Sequence, residues 1–310
     1  MINLDIVIVT YNRLDKLKKT LSHYHEQTSR FRSLIVVDNC STDGTGTFLN
    51  EWKKQEADYD KYIITLSENK GGSGGFYEGQ RFAMSLGADW VYVADDDAYP
   101  NKDMISLFYK SLENSFSNKI SAICAKIVNV DGSIAYEHRS RVVYQYNCKF
   151  KLVKSKDEDY AKPYFAIDLL SYVGSFLNAE SLKIKGLVNP EYFIYADDGE
   201  HSLRLKQVGD ILCVPQLQIV HDSGQNADKS NSQILVSWRD YYAIRNLLHM
   251  IKLHKPIAAV YRTFSYLRMI LTGRYSCKEE RLLIIRAIID AWLNNLGKRN
   301  DYLPGWSIKK

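Results

Sequence analysis

Residues 90–100 read WVYVADDDAYP, an apolar run that ends on three consecutive aspartates. Val91, Val93 and Ala94 have the character of a buried strand. Asp95, Asp96 and Asp97 then place up to three negative charges within a few ångströms of one another. Like charges that close cost free energy unless something positive lies between them.

The preceding residues repeat the pattern three times. LDIVIV (4–9) is followed by TYNR, SLIVVD (33–38) by NCSTDGT, and YIITL (62–66) by SENKGGSGGFYEG. Helix patterns lie between these runs: from about residue 14 to 24, in STDGTGTFLNEWKKQ, and in GFYEGQRFAMSLG, which Gly87 closes. Strands alternating with helices predict a parallel sheet with helices on its faces. Ligands of such sheets sit at the carboxyl ends of the strands. The residues that follow each strand therefore converge on one edge.

The glycine cluster 71–75 suits a ligand-contacting turn, because glycine lets backbone N–H groups approach a phosphate. The specific fingerprints fail. A GxGxxG set on Gly72 and Gly74 meets Tyr77, and a Walker A set on Gly74 and Gly79 meets Gln80 and Arg81. Oxygen ligands such as the aspartate triplet favour hard cations, Mg2+ or Mn2+. A DxDxT phosphatase pattern needs threonine where Tyr99 stands. Farther on, Asp197, Asp198 and Glu200 precede a helix carrying Arg204. The run VPQLQIVH ends on His221, a candidate transition-metal ligand.

The middle differs. AKIVNVDGSIAY (125–136) reads as a hairpin about Asp131-Gly132, so antiparallel additions should follow the parallel core. The tail is basic: residues 239–310 hold 14 Lys/Arg against 5 Asp/Glu, a net of +9 within a chain total of +5, which leaves the first 238 residues at −4. Segments 257–274 and 278–298 have apolar residues at helical spacing broken by arginines, a pattern that suits an anionic membrane surface or packing on the main domain. The acidic front does not resemble a nucleic-acid backbone surface, so no nucleic-acid partner is expected. Five widely spaced cysteines without a CxxC pair argue for a reducing compartment. The first residues read as a strand rather than a signal peptide, and no apolar run approaches the roughly 20 residues of a spanning helix.

Taken in order, TYNR (10–13), VDNCSTDGT (37–45), NKGGSGGFYEG (69–79), VADDDAYP (93–100), YVGSFLNAE (172–180), YADDGEHSLR (195–204), VHDSG (220–224) and YYAIRNLL (241–248) resemble the GT-A-fold glycosyltransferases of family 2. Bacterial galactofuranosyltransferases and the related rhamnosyltransferases are most similar. The resemblance implies a Rossmann-like, mostly parallel α/β sheet with helices on both faces and a C-terminal helical region. Residues 1–238 would form the transferase domain, with a nucleotide-sugar half (1–100) and an acceptor half (101–238). Residues 239–310 would be a basic amphipathic helical region.

The resemblance also implies roles. Thr10, Tyr11, Asn12, Arg13, Asp38, Asn69, Gly71, Gly72, Gly74 and Gly75 would hold the donor. Asp95 and Asp97, joined by His221, would bind a divalent cation, Mn2+ or Mg2+. Asp96 would face the donor sugar or only the backbone. Asp198 would be the catalytic base. Tyr172, Gly174, Phe176, Asp197 and Glu200 would face the acceptor, although the family often has two glycines where this chain has Gly174 and Ser175. The expected reaction is inverting transfer of galactofuranose from a UDP-sugar to a glycan or lipid-linked glycan, peripheral on the inner face of the cytoplasmic membrane. Rhamnose from a dTDP-sugar is the alternative. A sugar nucleotidyltransferase is a more distant one, because TYNRLDK lacks the glycine-rich loop such enzymes carry after their first strand.

Overall fold

The computed structural model describes residues 2–113, 118–146, 148–224, 234–274 and 277–309. The first half alternates as read: β1 (Leu4–Thr10), α1 (Leu14–His25), β2 (Ser33–Asp38), α2 (Thr45–Lys54), β3 (Asp60–Thr65), α3 (Gly71–Ser85) and β4 (Trp90–Asp95). Then come β5 (Ala98–Pro100), α4 (Met104–Leu112), β6 (Ile120–Asn129), β7 (Ser140–Gln145), β8 (Lys149–Lys154), α5 (Asp157–Tyr160), β9 (Phe165–Ile167), β10 (Ser175–Asn178), α6 (Ala179–Lys185), α7 (Asp197–Leu205) and β11 (Asp210–His221). The last elements are β12 (Ile234–Ser237), α8 (Trp238–His254), α9 (Pro256–Leu271), α10 (Lys278–Leu293) and β13 (Ser307–Lys309).

Among the described residues one sheet of nine strands runs β3-β2-β1-β4-β10-β6-β11-β5, with β9 beside β11. The pairs β3-β2, β2-β1, β1-β4 and β6-β11 are parallel; β10, β9 and β5 are the antiparallel insertions. β1 is buried along its whole length and alternates between two cores. Leu4, Ile6 and Ile8 pack with Leu17 and Leu21 of α1 and Trp52 of α2, whereas Val7 and Val9 pack with Phe76 and Ala83 of α3. Covering both faces is what a parallel sheet requires, and it explains the unbroken apolar runs.

Two local readings change. α3 begins at Gly71, not after the glycine cluster, so Gly72, Gly74 and Gly75 are helical, while Gly71 enters with a left-handed φ of 73°. Side-chain carbonyls start it: Lys70 N donates to Asn39 Oδ1 (2.9 Å) and Gly71 N to Asn69 Oδ1 (2.8 Å). At Asp131-Gly132 there is a turn but no extended hairpin, only a single bridge between Val128 and Ile134. The chain leaves that ladder because it must carry the fully buried Arg139 to the carbonyls of Ala125 (3.0 Å) and Val173 (2.9 Å). The real hairpin is β7-β8.

Helices α8, α9 and α10 build a third core with Phe193 and Val236. No helix among the described residues is long and apolar enough to cross a membrane.

Candidate active site

β4 lies parallel to β1 with Val9 opposite Asp95, so the triplet emerges beside Thr10. Asp96 and Asp97 form a tight turn, and β5 then crosses to β11, where Ala98 faces His221. Asp222 N donates to Asp97 O (2.9 Å) and locks that register. This crossing is how a histidine far along the chain reaches the triplet.

Arg13 answers the charge problem within the chain itself. Its Nη1 donates to Asp97 Oδ2 (2.5 Å) and Asp96 Oδ1 (3.4 Å). Thr10 Oγ1 donates to Asp96 Oδ2 (2.7 Å), and Thr20 Oγ1 to Asp96 O (2.5 Å). Asp96 therefore ties the end of β4 to β1 and α1. Burial pushes its carboxyl up to about 6. Burial also pushes Asp95 up, reinforced by Asp97, to about 8. Burial opposes ionisation of Asp97 too, but His221 and Arg13 prevail and hold it below its ordinary value.

One ligand atom each from Asp95, Asp97 and His221 lie within 4.8 Å of one another. His221 Nε2 stands 3.4 Å from Asp97 Oδ1, which is buried and has no hydrogen-bond partner among the described residues. A buried carboxylate oxygen without a donor is costly. Two carboxylates and an imidazole around it are a donor set that fits Mn2+ or Mg2+.

Beside this cluster a cavity of about 400 Å3 is lined by Thr10, Tyr11, Arg13, Asn69, Gly71, Gly72, Asp95 and Asp96 of the expected set. Asn39, Phe193, Ile194, Trp238, Arg239 and Pro304 complete most of its wall. Asp38 is buried behind it and accepts from Ser41 N (2.9 Å). Asn12 braces the loops after β1 and β2, its Oδ1 accepting from Thr42 N (2.7 Å). Gly74 and Gly75 lie outside the lining. A Cβ on Gly75 would stand 2.5 Å from Val9 Cγ1, so its role is close packing of α3 on β1. A larger cavity of about 790 Å3 lies at the opposite, amino end of the sheet, away from these groups.

Asp197 and Asp198 open α7 after an unusual approach. Phe193, Tyr195 and Ala196 have φ of 66°, 68° and 61°, conformations that side chains other than glycine rarely adopt. Residues of α8 hold this segment. Asn246 Nδ2 faces the carbonyls of Tyr192 (2.8 Å), Ile194 (2.7 Å) and Tyr195 (3.0 Å), and Arg245 Nη2 donates to Tyr192 O (3.3 Å). Ser73 N of α3 donates to Phe193 O (3.3 Å). Burial, and then the neighbouring Asp197, push Asp198 up to about 7.

Residues 5–168 match the profile described as glycosyl transferase family 2. The chain belongs to that family. It is 28% identical over 211 residues to galactofuranosyltransferase GlfT1 of Mycobacterium tuberculosis, covering 66% of this chain and 64% of the relative. The match thus spans just under two thirds of that relative's length. Among solved structures, S. aureus TarS in complex with UDP-GlcNAc superposes with a TM-score of 0.62 at 17% identity, over 94% of this chain and 81% of TarS. GalNAc-T7 with UDP, GalNAc and Mn2+ gives a TM-score of 0.61 at 15% identity, over 81% of this chain and 48% of that one. At those identities the likeness is one of fold, the GT-A fold.

In this family 2 chain the expected acceptor residues do not form one surface. Phe176 is fully buried and stacks on Phe108, ring centroids 3.9 Å apart. Tyr172 is buried and bonded to His201 Nδ1 (2.5 Å). Gly174 has φ of 72°, and a Cβ there would stand 3.1 Å from Ile219 Cγ2, so the position needs glycine for backbone shape. Glu200 is buried against Arg204 (2.8 Å), with His254 Nε2 3.6 Å away.

Several groups around the family 2 site gave no sequence signal. Arg139 is fully buried and also reaches Gly174 O (3.2 Å). His138 meets Ser171 Oγ (2.9 Å) and lies edge-on to His221, centroids 5.1 Å apart. An isolated arginine or histidine between strands reads as a surface residue. Asn39 and Asn246 were visible only as members of motifs.

Proposed function

We propose that this chain is a metal-dependent, inverting glycosyltransferase that moves galactofuranose from a UDP-sugar to a glycan acceptor. The observation that carries the reading is the Asp95, Asp97 and His221 cluster at the carboxyl edge of the sheet, beside a cavity of about 400 Å3 lined by Thr10, Arg13, Asn69 and Gly72. The galactofuranosyl assignment draws support from the named function of the GlfT1 relative. Mn2+ in the GalNAc-T7 structure and the UDP-sugar in the TarS structure support cation and donor class.

Asp95, Asp97 and His221 would hold the cation. When bound, it supplies positive charge for the departing diphosphate. The chain's own part is distinct. His221 and Arg13 hold Asp97 ionised, with its Oδ1 left open to a cation. Asp198 takes the proton of the acceptor hydroxyl as its oxygen bonds to the anomeric carbon. The bond from that carbon to the phosphate oxygen breaks, and the nucleoside diphosphate leaves with the electron pair. Attack opposite the leaving group inverts the anomeric centre. A carboxyl poised near 7 suits a base at neutral pH.

Incubation with a panel of UDP- and dTDP-sugars tests donor class. Transfer from UDP-galactofuranose, abolished by chelator and restored by Mn2+ or Mg2+, is the expected result. Transfer from dTDP-rhamnose instead would replace the sugar assignment, and chelator-insensitive transfer would remove the cation. The reading extends to a lipid-linked acceptor at the inner membrane face, supported by exposed apolar residues beside arginines on α9.

A further inference from the structure

The cleft between the β7-β8 hairpin and α9 has the chemistry of an anion site. It encloses about 290 Å3, and its lining includes Gln145, Lys149, Lys151, Tyr261, Arg262 and Ser265 but no carboxylate. None of the three cations pairs with a carboxylate among the described residues. Lys149 Nζ sits 5.7 Å from the Tyr261 ring centroid, and the Arg262 guanidinium lies 5.2 Å from that of Tyr266. Arg262 Nε is buried and has no hydrogen-bond partner among the described residues. Three uncompensated cations, two of them held over rings, and an unmet donor together ask for a multivalent oxygen anion.

Next to the cleft α9 carries an apolar stripe. Ile257, Val260, Phe264, Leu267 and Leu271 recur at alternating spacings of three and four and are 68%, 44%, 66%, 38% and 86% exposed. Helical geometry puts Tyr261 and Arg268 between the stripe and the cleft. Tyr146, at the turn of the hairpin, is 90% exposed. A stripe this apolar on a surface marks an interface.

We propose that this corner docks on an anionic phospholipid bilayer, with a headgroup phosphate in the Lys149, Lys151 and Arg262 cleft and the α9 stripe in the acyl boundary. The proposal rests on the membrane-surface reading above and names its ligand. Charge selects the occupant. A second copy of the chain on this face would set Lys149, Lys151, Arg262 and Arg268 against their own likes, whereas anionic lipid neutralises them. Tyrosines at the rim suit the headgroup layer.

Co-sedimentation of the full chain with vesicles tests this. Wild type should bind vesicles containing phosphatidylglycerol and not vesicles of phosphatidylcholine alone. Lys149→Gln/Lys151→Gln/Arg262→Gln should weaken binding about a hundredfold, as expected for three basic residues at a surface. Phe264→Asn/Leu267→Asn should weaken it on the same vesicles. Both variants should release nucleoside diphosphate from a soluble donor at the wild-type rate, which shows that they fold. If the triple variant does not fold, the exposed pair Lys149→Gln/Lys151→Gln gives the same reading. Wild-type binding by the cleft variant would overturn the headgroup site and leave the membrane reading standing. Failure of wild type on every vesicle would overturn both. Saturable binding of inorganic phosphate at the cleft, with vesicle binding indifferent to the stripe variant, would assign the cleft to free phosphate and also overturn the proposal.

Discussion

Asp198 shares the start of α7 with Asp197, and both carboxyls are pushed up, first by burial. If Asp198 is the base, it works only when ionised, so kcat/KM should fall as pH drops through about 7, about tenfold per unit below it. Asp198→Asn should cut kcat by about 10²–10⁴ while donor affinity, read by calorimetry, stays unchanged. The same substitution should raise the melting temperature at pH 8. A carboxyl whose folded value lies above its unfolded value is held ionised there at a cost, which shrinks as pH falls below the folded value and is gone only below the unfolded one. The aspartate triplet divides differently. Asp96 is committed to Thr10 and Arg13, while Asp97 keeps one oxygen without a donor. Residue types and order gave the triplet, but not which of its oxygens was spoken for.

At the scale of elements, α3 shows where local propensity loses. Four glycines in its first five residues should disfavour a helix. Tertiary contact overrides this, because Gly75 and Gly79 bring α3 against Val9 and Val7 of β1. A Cβ on Gly79 would stand 2.2 Å from Val7 Cγ1, so Gly79→Ala should destabilise the fold by about 1–3 kcal/mol in denaturant titration. Gly72 has no atom within 4 Å of its would-be Cβ and lines the cavity. Gly72→Ala should therefore keep or slightly raise stability while weakening donor binding. Of the parallel strands, β1, β2 and β4 were legible because burial on both faces leaves a continuous apolar run. The short antiparallel strands β5, β9 and β10 were not, since three or four residues carry too little pattern.

Across the whole molecule, α8 is the link between the basic C-terminal region and the site. Its Trp238 and Arg239 reach the cavity wall, Trp238 N donates to Trp306 O (3.0 Å), and Asn246 holds the strained approach to α7. Asn246→Leu removes the side-chain donor of the Ile194 and Tyr195 carbonyls, while Tyr192 O keeps Arg245. It should cost about 1–3 kcal/mol of stability. It should also lower kcat more than donor affinity, because Asp198 loses its positioning while Asp95, Asp97 and His221 do not; steady-state kinetics with melting curves checks both.

By itself the sequence determined the parallel core, the edge at which polar groups gather, and the identity of the carboxylates and histidine there. Periodicity and the residues that follow each strand are local properties, and local properties can be read along a chain. Only the tertiary structure decided which of those groups meet. The β5 crossing set Asp97 against His221, Arg13 turned inward to the triplet, and Tyr172 and Phe176, expected to face the acceptor, were drawn into the core. Those outcomes depend on contacts between segments far apart in the chain, and no spacing within one segment encodes them.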